Sequence, residues 1–318
     1  MTTNTKVQPY NAESVKRTST FWALIKRDWF LYLLLVPFLL WYVMFAFKPM
    51  YGIQIAFKDY SVFRGIQGSE WVGLQHFQEF LQSEYFYRVL KNTLIISLYA
   101  LLFVFPAPII FALLLNEVKS SKFKKVVQTF TYMPHFISVV IVAGIVTNFL
   151  APSNGIVNLI IEKLGGDKIY FLADASFFRT ILNSMNIWQG TGFAAIIYIA
   201  ALSGVNSELY EAAVIDGASK WKRTLHVTIP GILPTIMIML ILQIGSLLEV
   251  GYEAIILLYQ PVTYATADVI STYVYREGIV NGRYDMAAAV GLFNSVVGFI
   301  LIITANKLSK KYTESGLW

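Results

Sequence analysis

Cysteine is absent from this sequence, and charged residues are scarce. The lack of cysteine excludes a disulfide framework, thiolate zinc sites, iron–sulfur clusters and a cysteine nucleophile. Charged residues make up 14% of the 318 residues, whereas about 25% is usual in soluble domains. Hydrophobic residues reach 56% and aromatic residues 15%, and the mean hydropathy is +0.58. This composition indicates an integral membrane protein.

The sequence motifs of common enzyme classes are also missing. The chain has no GxxxxGK(S/T), HExxH, GxSxG or GxGxxG pattern, so neither a nucleotide-binding loop nor these catalytic motifs are expected. Its three histidines, His76, His135 and His226, are too dispersed to suggest a metal site. We therefore expect a chain that is not itself an enzyme and that holds no cofactor or metal of its own.

Long apolar stretches take the place of these motifs. A bilayer core about 30 Å thick requires about 20 apolar residues in a helix. Six stretches qualify, at residues 28–47, 92–115, 126–150, 181–202, 232–258 and 286–306. The predicted fold is all-α, with six transmembrane helices over residues 29–306 and tails at residues 1–28 and 307–318.

The basic residues predict the orientation of these spans. The net charge is +6, from 25 basic and 19 acidic residues. Fifteen basic residues lie in the two tails and in the loops after the second and fourth spans, which together are shorter than the other three loops. By the positive-inside rule, both termini and these two loops are cytoplasmic. Topology and anionic lipid explain the basic excess, so no nucleic-acid partner is expected.

The loop between the fourth and fifth spans, residues 205–230, has the most distinctive sequence. It reads as two short helices joined at Gly217, with Ser219 able to cap the second helix. Acidic residues lie in its first half and basic residues in its second half. These features fit either a compact knob that a cytoplasmic partner could grip or a solvated interhelical loop.

A family pattern favours the first interpretation. The run Glu211-Ala212-Ala213, then Gly217 and then Val227-Thr228-Ile229-Pro230 resembles the EAA loop of permease subunits in binding-protein-dependent ABC importers. That loop has the pattern EAA, a glycine, then I-x-L-P, so Val227 and Ile229 are conservative departures. The flanking LYEAAVIDGASKW resembles the sugar-importer branch. The later ADVISTYVY, AAAVGLF and ESGLW resemble the permeases of complex-polysaccharide importers, including alginate importers.

The resemblance implies a fold, a function and partners. The fold would be that of a type I ABC importer permease in the bacterial inner membrane. The function would be ATP-driven import of oligo- or polysaccharide, with alginate as one candidate, from periplasm to cytoplasm by alternating access. The partners would be a second homologous permease, two ATPase subunits that bind ATP and Mg²⁺, and a periplasmic solute-binding protein. The implied ATPase-coupling residues are Glu211, Ala212, Ala213, Asp216 and Gly217.

Polar residues within the spans suggest a substrate path. Glu249 and Glu253 fall in the predicted fifth span, where each carboxylate costs about 2.5–3.5 kcal/mol unless it faces protein or water. On a continuous helix, Ser246 would share their face and Gln243 would lie one step beyond. Polar and aromatic side chains are typical of sugar sites. The predicted path residues are Asn183, Asn186, Trp188, Gln189, Gln243, Ser246, Glu249, Tyr252 and Glu253.

Alternatives remain open from the residues alone. The polar groups could bond one another between helices and serve only packing. Ionised Glu249 and Glu253 would repel an anionic substrate such as alginate, unless they are protonated, paired or off the path. A secondary transporter would use these two carboxylates as proton or cation sites. A non-transporting membrane scaffold would use the loop at residues 205–230 only for docking.

Overall fold

The computed structural model of the protein describes residues 26–313 and 316–317. The predicted N-terminal tail lies outside the described residues except for its last three. The chain divides into two units, residues 1–53 and 54–318. In the first unit, the helix Trp29–Tyr42 has exposed apolar side chains around its circumference. An all-round apolar surface is typical of a helix in contact with lipid or with other membrane helices.

Helices make up nearly all of the described structure. Those of eight residues or more are Trp29–Tyr42, Gln75–Gln82, Glu84–Tyr99, Pro106–Glu117, Ser121–Tyr132, Val139–Phe149, Ile156–Lys163, Phe178–Ser203, Ser207–Ile215, Ile229–Gly245 and Tyr284–Thr313. The shorter α-helices are Lys48–Met50, Gly65–Gly68, Lys220–Arg223, Tyr252–Leu258, Tyr264–Ala267 and Ile270–Tyr275. Two short antiparallel strands, Lys58–Asp59 and Glu70–Trp71, form a hairpin in the loop after the first span.

Consecutive helices join into candidate membrane spans. Five are continuous, and the third span, in chain order, is a pair of helices. Within the described residues, the continuous spans are Trp29–Phe57, Glu84–Glu117, Phe178–Ser203, Lys220–Gly245 and Tyr284–Lys311. Length and composition therefore confirm the prediction of six spans if the pair counts as one. Two of the six differ in shape from the prediction.

The third span is broken near its middle. Its two parts, Ser121–Phe136 and Val139–Phe149, meet at an angle of 102°, whereas the sequence predicted one helix over residues 126–150. Pro134 lies in the 3₁₀ turn Met133–Phe136 at the end of the first part. The Ser138 side chain then accepts a hydrogen bond from the Ile141 amide and caps the second part. Proline and this cap together explain the break.

The fifth span ends earlier than predicted. The sequence predicted one helix over residues 232–258, but the helix ends at Gly245, and a separate helix, Tyr252–Leu258, follows. Other helices satisfy the carbonyls that the break frees. The Ser97 hydroxyl donates to the Leu247 carbonyl, and the Ser271 hydroxyl donates to the Val250 carbonyl at 3.0 Å. Non-helical backbone at membrane depth is tolerated where protein groups pair with it in this way.

Proline also explains most of the wide helical turns. Of the four π-helical segments in the described part of the chain, three end two residues before a proline. These three are Val43–Phe47, Ala100–Val104 and Thr224–Thr228, before Pro49, Pro106 and Pro230 respectively. Proline lacks an N–H and clashes with the carbonyl four residues earlier, and a wider turn relieves this clash without ending the helix.

The second unit is held together by three buried clusters. One contains Ile96, Val142, Phe178 and Ile255 and joins four helices around the break in the fifth span. The other two are centred on Phe80 and Met286, and on Ala195 and Tyr198. The helix Phe178–Ser203 also packs closely on Ser121–Tyr132, because a Cβ at Gly192 would overlap the Thr131 carbonyl. This helix is therefore a central element of the unit.

Candidate functional site

The loop at residues 205–230, called the coupling loop for its resemblance to the EAA loop, contains the two predicted helices. The first is Ser207–Ile215, and the Asn206 side-chain oxygen caps it by accepting from the Glu208 amide at 2.9 Å. The second begins at Lys220, and the Ser219 hydroxyl caps it. Both caps satisfy amide groups that a helix start leaves unpaired. The local structure of the loop thus follows from residues within the loop itself.

Gly217 closes the first helix in a Schellman motif. The Ala218 amide donates to the Ala213 carbonyl at 2.9 Å, and the Gly217 amide donates to the Val214 carbonyl at 3.0 Å. This arrangement requires a residue with left-handed backbone conformation, and Gly217 has φ +72°. Other residues reach that conformation only at a cost of about 1–2 kcal/mol. Gly217 therefore sets the angle at which the chain leaves the helix.

The second helix of the loop is the beginning of the fifth span. We expected a short separate helix after Ser219, but Lys220–Arg223 continues through a π-helical turn into Ile229–Gly245. The first helix is joined to this span by the Tyr210 hydroxyl, which lies 3.0 Å from the Thr228 hydroxyl oxygen. A displacement of the loop would therefore be transmitted directly to a helix of 26 residues.

The surface of the loop combines exposed charge with exposed apolar side chains. Glu211 and Asp216 are both exposed. Ile215 is 86% exposed and Trp221 is 74% exposed, and Val214 is also exposed. An apolar patch with a charged rim is typical of an interaction surface. Ala212 is exposed and Ala213 is half-buried.

Two predicted path residues of the fourth span are engaged in the fold. Asn183 is buried, and its amide donates to the Arg179 carbonyl of its own helix at 2.7 Å. Its side-chain oxygen is buried without a hydrogen-bond partner among the described residues. The Gln189 amide donates to the Ile137 carbonyl at 2.9 Å, where the third span is broken. These bonds favour a structural role for both residues. Asn186 is half-buried, and Trp188 is 50% exposed.

Gln243 faces the fourth span across a cavity of about 150 Å³. Gly190, Thr191 and Tyr198 line the opposite side, and the buried Thr191 hydroxyl has no hydrogen-bond partner among the described residues. The structure therefore places Gln243 opposite the fourth span. Sequence reasoning missed Thr191, because two positions along a helix place it on nearly the opposite side from Gln189.

The carboxylates of the fifth span do not share a helical face. The helix ends before both of them, so the predicted alignment of Ser246, Glu249 and Glu253 is wrong. Ser246 lies at the helix end and bonds the Gln243 carbonyl of its own helix at 3.2 Å. Glu249 lies in the break, and Glu253 lies in the first turn of Tyr252–Leu258. Both carboxylates are exposed on the surface of the chain.

Two adjoining cavities lie along the last helix. Glu249 lines one of about 200 Å³, and Tyr252 lines another of about 380 Å³ together with Tyr275. Asn294 contributes to both cavities, and its buried side-chain oxygen has no partner among the described residues. Neither Glu249 nor Tyr252 lines the cavity that holds Gln243. The predicted path residues are thus divided between separate places in the structure.

Known proteins match nearly the whole chain. Protein LplB of Bacillus subtilis is 47% identical over 93% of this chain and 93% of its own length. The polygalacturonan/rhamnogalacturonan transport system permease protein YteP of the same organism is 43% identical, over 91% of this chain and 90% of its own.

A solved structure extends this similarity to the fold. It is a chain of a bacterial alginate ABC transporter, crystallised in complex with alginate pentasaccharide-bound periplasmic protein. The identity is 49% and the TM-score 0.86, with coverage of 93% of this chain and 99% of the other. This match confirms the predicted type I importer permease fold.

Residues 105–314 match the family described as binding-protein-dependent transport system inner membrane component. The match includes the coupling loop and four of the six spans. Members of this family are transport components, which agrees with the prediction that the chain is not an enzyme. The chain belongs to this family of inner-membrane ABC importer permeases.

Proposed function

We propose that this chain is the permease subunit of an ATP-driven importer of acidic oligo- or polysaccharide. The main support is its near full-length similarity to two permeases with such substrates. YteP is named for polygalacturonan and rhamnogalacturonan, and the matched structure is that of an alginate transporter. Both groups of substrates contain uronic acids, so each carries carboxylate groups along the chain. Substrate of this chemistry would pass through this protein from the outer side of the membrane to the cytoplasm.

The partners in this proposal are those that the resemblance to binding-protein-dependent importers implies. The chain has no nucleotide-binding loop, so ATP and Mg²⁺ would be bound by two separate ATPase subunits. A second homologous permease would complete the translocation path, and a solute-binding protein would deliver the sugar. Both termini and the coupling loop would lie in the cytoplasm, as the distribution of basic residues indicates.

The coupling loop is suited to transmit ATP-driven movement. Glu211 would make a charged contact with the ATPase, Ala212 and Ala213 would allow close approach, and Asp216 and Gly217 would shape the turn. The exposed Ile215 would add apolar contact area. Because the loop continues directly into the fifth span, closure of the ATPases would move that helix as a lever between two packed states.

The substrate path includes the cavity between the fourth and fifth spans. Gln243 and the unpartnered Thr191 hydroxyl supply hydrogen-bonding groups for sugar hydroxyls, and the Tyr198 ring is adjacent. Trp188 and Asn186 lie on the same helix as Thr191. The side-chain amides of Asn183 and Gln189 are already bonded to backbone carbonyls. These two residues would therefore hold the helices that line the path in position and would not bind sugar through their amides.

Reconstitution tests this function. The complete importer would be placed in lipid nanodiscs, and ATP hydrolysis would be measured with binding protein that is empty or loaded with oligogalacturonate or oligoalginate. We expect loaded binding protein to raise the rate. The chain alone in liposomes should show no uptake under a proton or sodium gradient. Gradient-driven uptake by the chain alone would instead identify a secondary transporter, and a membrane scaffold would show neither activity.

A further inference from the structure

A cluster of arginines surrounds one buried carboxylate outside the coupling loop and the cavities described above. Asp268 has 0% exposure, and Arg88 and Arg276 both bind its side chain. Arg179 reaches the same place through Asn92. These five residues are referred to below as the Asp268 cluster. They come from helix Glu84–Tyr99, the start of Phe178–Ser203 and the segment that follows Ala267. The charge-derived topology assigns these positions to the outer side of the membrane.

The hydrogen bonds of the cluster fix its geometry. Arg276 binds Asp268 through two nitrogens, at 3.1 Å to Oδ1 and 3.0 Å to Oδ2. Arg88 Nη2 donates to Oδ2 at 2.7 Å. The Asn92 amide donates to the Asp268 carbonyl at 3.0 Å, and Arg179 Nη2 donates to the Asn92 side-chain oxygen at 2.9 Å. The three guanidinium groups are therefore held around one acidic residue.

Positive charge in this cluster exceeds negative charge. Two guanidinium groups share the Asp268 carboxylate, and that of Arg179 bonds the neutral Asn92 side chain. Among the described residues, no second carboxylate is within ion-pair distance of these arginines. The other acidic side chains of this region, Glu79 and Glu277, pair with Arg283 instead. A partly buried positive charge without a counter-charge is costly. The cluster therefore favours the approach of an anion.

Unused donors remain on two of the arginines. The Nε atoms of Arg88 and Arg179 are buried and have no hydrogen-bond partner among the described residues. The Arg88 side chain is nevertheless 35% exposed, so a ligand can reach part of it. A guanidinium group with free N–H donors is the side chain best matched to a carboxylate, because it can form two parallel hydrogen bonds.

Arg276 is held more firmly than the other two. Its guanidinium lies 5.6 Å from the centre of the Tyr264 ring and 5.7 Å from that of Tyr273. Burial lowers the pKa of Arg276, but its hydrogen bonds to Asp268 and the charge of that carboxylate raise the pKa above its usual range. Arg276 and Asp268 therefore form a fixed pair that supports the other two arginines.

We propose that the Asp268 cluster is an anion site that binds a uronate carboxylate of the polysaccharide at the outer end of the translocation path. Arg88 and Arg179 would contact the substrate, and Arg276 and Asp268 would position them. This inference rests on the proposed function. It also supplies positive charge that would offset the repulsion of an anionic substrate by the exposed Glu249 and Glu253. Successive uronate residues would occupy the site as the polysaccharide moves through the importer.

Direct binding tests this site. The probes are a fluorescently labelled galacturonate trisaccharide and the same trisaccharide with its carboxyl groups reduced to alcohols. Each would be titrated with the assembled importer in nanodiscs, without binding protein, and fluorescence anisotropy would give the Kd. We expect the acidic probe to bind wild type about tenfold more tightly than the neutral probe. Raising the salt concentration should reduce this difference.

Variants locate the interaction in the cluster. Arg88→Gln and Arg179→Gln should each weaken acidic-probe binding about tenfold and leave neutral-probe binding unchanged, since one charged hydrogen bond is removed. Arg88→Lys should retain part of the affinity. The matched control is Arg283→Gln, which removes the same charge from an outer arginine that is already paired with Glu79 and Glu277. This control should leave the Kd for both probes unchanged.

Three results would overturn the anion site. The first is that wild type binds the acidic and neutral probes equally tightly. The second is that Arg88→Gln weakens the binding of both probes to the same extent, which would mean that Arg88 has a purely structural role. The third is a loss in Arg283→Gln as large as that in Arg88→Gln, which would mean general surface attraction. ATP hydrolysis stimulated by loaded binding protein is a separate measurement, so failure of the site and failure of the import function can be distinguished.

Discussion

The coupling loop and the outer part of the fifth span use similar elements in different ways. In each region a turn ends one helix, and another helix begins a few residues later. In the loop, Asn206, Gly217 and Ser219 pair the backbone groups that the turn leaves free, and all three belong to the loop. In the fifth span, Ser97 and Ser271 pair the freed carbonyls from other helices. The loop is locally determined, whereas the break is determined by its surroundings.

This difference fits the tasks proposed for the two regions. A loop that binds a partner must keep its conformation while it is exposed to solvent. The hydrogen bonds that stabilise it must therefore come from residues of the loop itself. A break within the membrane must have its polar groups satisfied by protein, since lipid offers no partners. Substitutions within the loop should therefore affect coupling, and substitutions on neighbouring helices should affect the stability of the break. Four predictions test this comparison.

Gly217→Val should have the largest effect on transport. Valine is strained at φ +72°, so the angle between the two loop helices would change. We expect membrane insertion to be retained and sugar-stimulated ATP hydrolysis to be lost. Gly165→Val is a matched control, because Gly165 also has positive φ and ends the helix Ile156–Lys163 with the same bonding pattern. Loss of coupling in both variants would mean that strain alone, wherever it lies, accounts for the effect.

Glu211→Lys should reduce coupling by at least about tenfold, since it places a positive charge where a charged hydrogen bond to the ATPase is expected. The measurement is ATP hydrolysis by the reconstituted importer at saturating loaded binding protein. Glu208→Lys is the control on the same exposed helix, where the change costs about 0.3–1 kcal/mol of helix stability through the helix dipole. Normal stimulation in Glu211→Lys would contradict the assigned contact.

Ser97→Ala should destabilise the break in the fifth span from a distance. The variant leaves the Leu247 carbonyl without its side-chain donor, and an unpaired buried carbonyl costs about 1–3 kcal/mol. A lower Tm of the purified protein is expected. Ser295→Ala is the control, because the Ser295 hydroxyl bonds the Gly291 carbonyl of its own helix at 3.0 Å. If both variants melt alike, the break does not depend on Ser97.

Tyr210→Phe should have the smallest effect. It removes the hydroxyl that joins helix Ser207–Ile215 to Thr228, a hydrogen bond that contributes about 1 kcal/mol. We expect a small decrease in Tm and a partial loss of sugar-stimulated ATP hydrolysis. Thr224→Val is a comparison within the same segment, because the Thr224 hydroxyl bonds only the Lys220 carbonyl of its own helix. If Thr224→Val lowered sugar-stimulated ATP hydrolysis and Tyr210→Phe did not, the bond between Tyr210 and Thr228 would not transmit movement from the loop to the fifth span.

Much of the fold could be predicted from the sequence because its signals are local or compositional. The apolar stretches identified the six spans, and Gly217 and Ser219 identified the two helices of the loop. The position of the break in the fifth span could not be predicted, because residues 246–258 remain mostly apolar despite Glu249 and Glu253. Helical geometry was therefore extended through Glu249 and Glu253, and their predicted alignment was wrong.

The candidate path shows the same limit. Asn183 and Gln189 were correctly noted as polar residues within a span, but the carbonyls to which they bond became visible only in the fold. Asn294 was a lone amide in an apolar stretch and was missed. Arg88 and Arg179 of the Asp268 cluster are 91 positions apart in the chain, and Arg179 and Arg276 are 97 positions apart. No spacing pattern marks them as neighbours.

The sequence by itself determined that the chain spans a membrane, where its helices lie and how the coupling loop turns, because hydropathy, glycine conformation and capping act over a few residues. Only the tertiary structure decided where the fifth span breaks and which charges meet at Asp268. Those outcomes depend on hydrogen bonds and ion pairs between residues far apart in the chain, and such contacts form only when the helices pack.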